Sequence, residues 1–369
     1  MALFQSMITL LIAGQLQGPS PSAIKIQSAW IAMSTNGSIA TAREQRVVQG
    51  TDVQLYLVVE AQVDGKNFVF SEAPRLRRKG RTLRQGRIHR WPRMADPVTI
   101  QWRTIEPSLE SGIYDNTGTF GVAPHGGNDV AHPARWHWCS IDYRQHRRSW
   151  GSVWTHVANA RPIEAPDRYQ RLGTMRYAAS IQYRGRTIDT PGISERDKGG
   201  LRQSVATVRY RTNNTEVGYM TELLNVPYVY GSASTTGNDR HHQAERATGT
   251  DCADLIVYGW RRAGHKIKYT WSQGLKAHTR RISNASYFSD KTYRNRKGKP
   301  IEFGQEIEVG DILLWGRHVA VITERDASNF LTQNTTILHT IWGSPAMVPL
   351  KEIGFGFDKI DFEIRRLKK

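Results

Sequence analysis

Cys252 stands at the mouth of an apolar helical pattern, in the stretch TGTDCADLIVYGWRRAG from Thr248 to Gly264. Apolar or small residues at Cys252, Leu255, Ile256, Gly259, Trp260 and Ala263 follow the spacing of one helix face. Asp251 is a good N-cap, Asp254 resembles the acidic partner of a capping box, and Gly264 suits the position just past the end. The spacing predicts a helix from Cys252 to Ala263 with the thiol in its first turn. Free backbone N–H groups and the dipole at such a terminus favour a thiolate, the nucleophile of acyl transfer. Asp251 and Asp254 oppose this, because nearby negative charge disfavours the anion. A histidine is therefore needed to take the proton. The competing reading of the same position is a buried structural cysteine.

The sequence supplies two histidines downstream. VGDILLWGRHVAVITE contains two strand-like runs flanking Gly316-Arg317, and His318 opens the second. In TTILHTIWG, Ile337, His339 and Ile341 share one face of a strand. His339 is thus a candidate to orient the imidazole of His318 through a hydrogen bond, as the third member of a triad does.

Residues from about Glu216 to Ile341 resemble the NlpC-type cysteine peptidases, a papain-like superfamily that cleaves bacterial cell-wall peptides. TEVGYMTELLNVPYVYG resembles the family's helix and Pro-Tyr-x-Trp-Gly segment, with Tyr230 where Trp is usual. TDCADLIVYGWRRAG resembles the Asp-Cys-Ser-Gly helix, with Ala253-Asp254 in place of Ser-Gly. VGDILLWGRHVAVI and TILHTIWG resemble the strands that carry the second and third catalytic residues. The resemblance implies an amide hydrolase with Cys252 as nucleophile, His318 as base and His339 as orienting residue. Tyr228 would line the site and serve as an oxyanion donor, and no metal or cofactor is required. It further implies a peptidoglycan stem peptide as substrate. Asp251 and Asp254 would then suit its amine, and Arg317 and Arg246 its carboxylates. The insertion between Gly231 and Thr250 is long and polar and suits a lid.

Around this constellation, 369 residues imply two domains. TDVQLYLVVEAQV alternates, DGKN supplies a turn and FVFSEAP returns. PVTIQWRTI, WHWCSIDYRQH and MRYAASIQYRGRTI are further strand candidates, separated by Gly, Pro, Asn and Asp clusters. The expectation is an α+β chain: a β-rich, sandwich-like domain over 20–200, then a papain-like NlpC-type domain over 201–369 with the cysteine helix packed on an antiparallel sheet. Residues 1–19 form a possible leader, and export to the periplasm, cell wall or exterior is favoured. No apolar run is long enough to cross a membrane.

The net charge of +18 points to an anionic partner. It is densest in Arg75–Arg90 and again in Lys291–Lys299, and neither cluster has the spacing of a nucleic-acid motif. An anionic cell-wall polymer bound through Arg75–Arg90 is the expected partner, with nucleic acid less favoured. Two rival readings stand beside hydrolysis. One is a catalytically inactive fold that binds a polyanion. The other is a zinc site drawn from His125, His132, His137, Cys139 and His146, where His137 and Cys139 share a strand face. A Cys139–Cys252 bridge would consume the proposed nucleophile.

Overall fold

The computed structural model describes residues 24–84, 86–92, 95–108, 114–117, 138–164, 171–359 and 361–368. The possible leader and His125, His132 and His137 lie outside the described residues.

Two β-sheet layers come first, antiparallel except for Gln45–Val48, which runs parallel to Ala206–Arg211. In one, Ile24–Thr35 pairs with Val53–Val63, which also takes Lys66–Phe70 through the Asp64-Gly65 turn and Thr155–Ala158. In the other, the order is Gln45–Val48, Ala206–Arg211, Gly173–Tyr183, Thr99–Pro107 and Tyr143–Gly151, with Arg186–Asp189 folding back on Gly173–Tyr183. Strict alternation turns one set of side chains inward from each sheet. Leu55, Leu57, Val59, Ile31 and Met33 of the first meet Ile100, Trp102, Met175, Tyr177 and Ile181 of the second in one core. Ala206–Arg211 lies within the second sheet, between Gln45–Val48 and Gly173–Tyr183.

A third sheet has six antiparallel strands: Thr279–Ala285, Phe362–Leu367, Ile312–Trp315, His318–Glu324, Thr336–His339 and Ala346–Pro349. Its two faces sort cleanly. Ile312, Leu314, Val319, Val321 and Leu338 share a cluster with helix α3, Cys252–Arg262. Leu313, Trp315, Ala320, Ile322 and Ile337 belong to a separate cluster on the other side.

The expected α+β class is corrected. The chain is mostly β, with 46% strand and 12% helix in several sheets, and no helix packs on a sheet in the papain-like manner. The physical reason is that helical runs end early. α1, Glu216–Met220, passes into a 3-10 turn at Thr221. α2, Gln243–Arg246, stops where Ala247 turns left-handed at φ 51°. The long basic segment after α3 becomes a 3-10 turn and short strands instead of a helical layer. No helix among the described residues is long and apolar enough to cross a membrane.

α3 is joined to the sandwich by buried polar groups. Tyr258 donates to Glu222 at 2.5 Å, and Glu222 accepts from Arg211 at 3.0 Å. Arg209, wholly buried, holds Glu44 at 2.7 Å and reaches the Tyr258 hydroxyl at 3.2 Å. Gly259 lets α1 cross α3, since a Cβ there would stand 2.3 Å from Met220 Cγ and 2.5 Å from Glu216 O.

Candidate active site

α3 starts where the sequence places it. The Asp251 side chain accepts from the N–H groups of Ala253 and Asp254 at 3.0 and 2.9 Å, capping the first turn. The helix ends at Arg262, with Gly264 beyond it at φ +106°. Cys252, the first helical residue, is half-buried and unbridged, as is the buried Cys139.

The Cys252 thiol lies against the start of the His318 strand, with Sγ 3.9 Å from Arg317 O. The Val319 amide also faces the sulfur and favours its anion. The thiol therefore touches main chain on both sides of His318. Burial pushes it well above the usual thiol range, and Asp251 and Asp254 push it further, outweighing the Val319 and Ala253 amides. Desolvation and the two carboxylates thus oppose the helix terminus at this thiol.

His318 is buried. Its ring lies against Trp315, 5.8 Å away, and Phe357, 5.0 Å away, in a three-ring cluster, and meets His339 edge-on at 5.4 Å. Register explains this company: His318 pairs with Trp315 and falls in phase with Ala320 and Ile322, while Val319 and Val321 face α3. Burial, then His339, lowers His318 to about 3, and burial lowers His339 to about 4. Both rings are neutral near pH 7. His318 Nε2 and His339 Nδ1 are buried with no hydrogen-bond partner. So the two histidine rings meet without the expected hydrogen bond, and the thiol comes to the backbone around His318. Among the described residues, no hydrogen bond joins the thiol to either imidazole.

Tyr228 pairs through its backbone with Thr250, just before the N-cap. Its ring meets Trp342 edge-on at 5.4 Å. Burial, followed by Cys252 and Asp251, keeps its hydroxyl protonated. Arg317 is exposed and presents its carbonyl, not its charge, to the thiol. Arg246 is not open to a substrate carboxylate, because it pairs with Asp197 at 2.6 Å and with the Lys198 and Leu201 carbonyls.

The sequence missed the group around Asp254. Ser232 donates to Asp254 Oδ2, and His242 Nε2 stands 3.6 Å from the same oxygen. His242 stacks flat on Tyr269 at 3.6 Å, and burial lowers it to about 3. Burial, then Asp251, holds Asp254 well above the ordinary carboxylate range. Both Ser232 and His242 come from the insertion read as a lid, whose ends pack beside α3. The available signal was His242 before Gln-Ala-Glu-Arg, where its Nδ1 caps α2 by accepting from the Ala244 N–H at 3.2 Å.

Of the zinc candidates only Cys139 and His146 are described, and among the described residues no three such side chains gather. Cys139 Sγ donates to Asn116 Oδ1 at 3.2 Å, and burial raises it to about 12. His146 faces Glu164 at 3.1 Å. No family model, curated protein or solved structure matches the chain.

Proposed function

We propose that this chain is a cysteine hydrolase of amide bonds. The observation that carries the reading is the seat of the Cys252 thiol on the main chain flanking His318, whose ring abuts His339 with two uncommitted nitrogens between them. The thiol and the His318 imidazole are each neutral at rest and share no hydrogen bond. Hydrogen bonds at such sites often tighten only when substrate is bound.

In the proposed reaction the Cys252 proton passes to His318 as sulfur attacks the carbonyl carbon. His318, oriented by His339, then protonates the departing amine, leaving a thioester. Water, deprotonated by His318, hydrolyses that thioester and regenerates the thiol. The Cys252 N–H and the Tyr228 hydroxyl, neither of which donates to another described group, are the oxyanion donors. The substrate class, a peptidoglycan stem peptide, is supported by the family resemblance. The exposed charges of Arg75, Arg81 and Arg84 support contact with an anionic wall polymer.

The test compares Cys252→Ala, His318→Ala and His339→Asn on synthetic stem peptides and on casein, read by mass spectrometry. Cys252→Ala should abolish cleavage, His318→Ala should remove most of the rate, and His339→Asn should be milder. A folded Cys252→Ala protein that cleaves at the parent rate overturns the reading. Equal cutting of casein overturns the substrate class.

A further inference from the structure

A cavity of about 680 Å³ opens beside the sandwich, between the Arg75–Arg84 hairpin, the edge near Arg43 and α2. Eight of the residues that line it are basic and two are acidic, so the charge is unbalanced. The carboxylates nearby are already engaged. Glu44 is held by Arg46 and Arg209, and Glu245 by Arg261. At the floor lies Arg176, 2% exposed and in no salt bridge among the described residues. Its Nη2 donates to the Ala247 carbonyl, while its Nη1 is buried and has no partner. A buried guanidinium nitrogen left unpaired is costly, and an anion supplies what the protein does not. At the rim, Arg43, Arg77 and Lys79 are exposed and form no salt bridge among the described residues.

We infer that this cavity binds a compact ligand bearing two or three adjacent phosphate groups. The space exceeds that of one phosphate, and guanidinium forks match phosphate oxygens in pairs. Among the described residues no Phe, Tyr or Trp lines the cavity, so none of them stacks on a base there. The ligand is therefore recognised by its phosphates alone. This inference does not rest on the hydrolase reading.

Titration calorimetry of the full chain with tripolyphosphate, inorganic phosphate and ATP is the test. Tripolyphosphate should bind at least roughly tenfold tighter than phosphate, with ATP within about threefold of tripolyphosphate. Arg43→Gln with Arg77→Gln, both exposed, should weaken tripolyphosphate by roughly tenfold or more, and Arg176→Gln should weaken it further. Arg280→Gln with Arg281→Gln, equally exposed but outside the cavity, should leave it unchanged. The inference is overturned if wild type binds tripolyphosphate no better than phosphate. It is also overturned if the rim variant binds like wild type, or if the distant pair weakens binding as much as the rim pair. ATP binding far more tightly than tripolyphosphate overturns recognition by phosphate alone. Should Arg176→Gln fail to fold, the rim variant decides.

Discussion

His318→Gln should flatten the acid side of the stability curve. The imidazole titrates near 6.5 when unfolded and at about 3 in its buried place beside Trp315 and Phe357. Above pH 6.5 both states carry a neutral ring and the group contributes no pH dependence. As pH falls below 6.5 the unfolded chain takes up a proton that the folded chain refuses, so stability declines down to about pH 3. Between pH 7 and pH 5 this one group removes about 2 kcal/mol. His339, lowered to about 4, and His242, lowered to about 3, act in the same direction. Together the three remove about 6 kcal/mol, comparable to the whole stability of many domains. Asp251 and Asp254, both raised, return part of it as they protonate. The assay is urea unfolding followed by tryptophan fluorescence at pH 7 and pH 5, for wild type and His318→Gln. The variant should lose about 2 kcal/mol less than wild type across that interval. If both lose the same amount, His318 is not buried and neutral, and the argument for the resting pair fails.

Asp251→Asn keeps the cap oxygen but removes a carboxylate that raises the thiol, so iodoacetamide should alkylate Cys252 several-fold faster at pH 8. In wild type the alkylation rate should still be climbing about tenfold per pH unit at pH 9, because the thiol sits above its usual range; a plateau by pH 8 contradicts this. Gly259→Ala should lower stability by about 1–3 kcal/mol in chemical unfolding, since its methyl meets the α1 backbone and Met220, although alanine is the better helix former. Arg209→Ala should cost about 3 kcal/mol by removing the buried guanidinium that joins Glu44, Tyr258 and the Glu245 carbonyl, leaving Arg46 as the cation on Glu44, and an unchanged midpoint would show that this network is slack.

Local pattern was legible wherever one face of an element is buried. Val53–Val63, its Asp64-Gly65 turn and Lys66–Phe70 follow the alternation of the sequence, and α3 departs from its predicted end by one residue. The pairing of His318 with His339 was legible because both strands carry apolar neighbours in register. What alternation does not encode is which strands meet. Thr279–Ala285 pairs with Phe362–Leu367 across some eighty residues, and nothing in either segment names the other. The class was misjudged for a related reason: four short segments in a familiar order suggested an α+β chain, whereas the intervening chain builds mostly strands. The Ser232–Asp254–His242 group was hidden because it joins α3 to a Ser-, Thr- and Asn-rich stretch that reads as solvated loop. The desolvation of the thiol was not legible, because a helix position reports the dipole but not the burial.

The join between the sandwich and α3 bears on modularity. Arg209 and Arg211 belong to the last strand of the second sheet, yet their partners Glu222 and Tyr258 belong to the segment that carries the thiol. A cut anywhere near residue 200 removes that strand from its sheet and parts Arg209 from Glu44 and Glu222 from Arg46. The two halves are therefore not interchangeable parts. Neither could be transplanted into another chain without its neighbour, and a substitution on either side of the join will be felt as a loss by the whole.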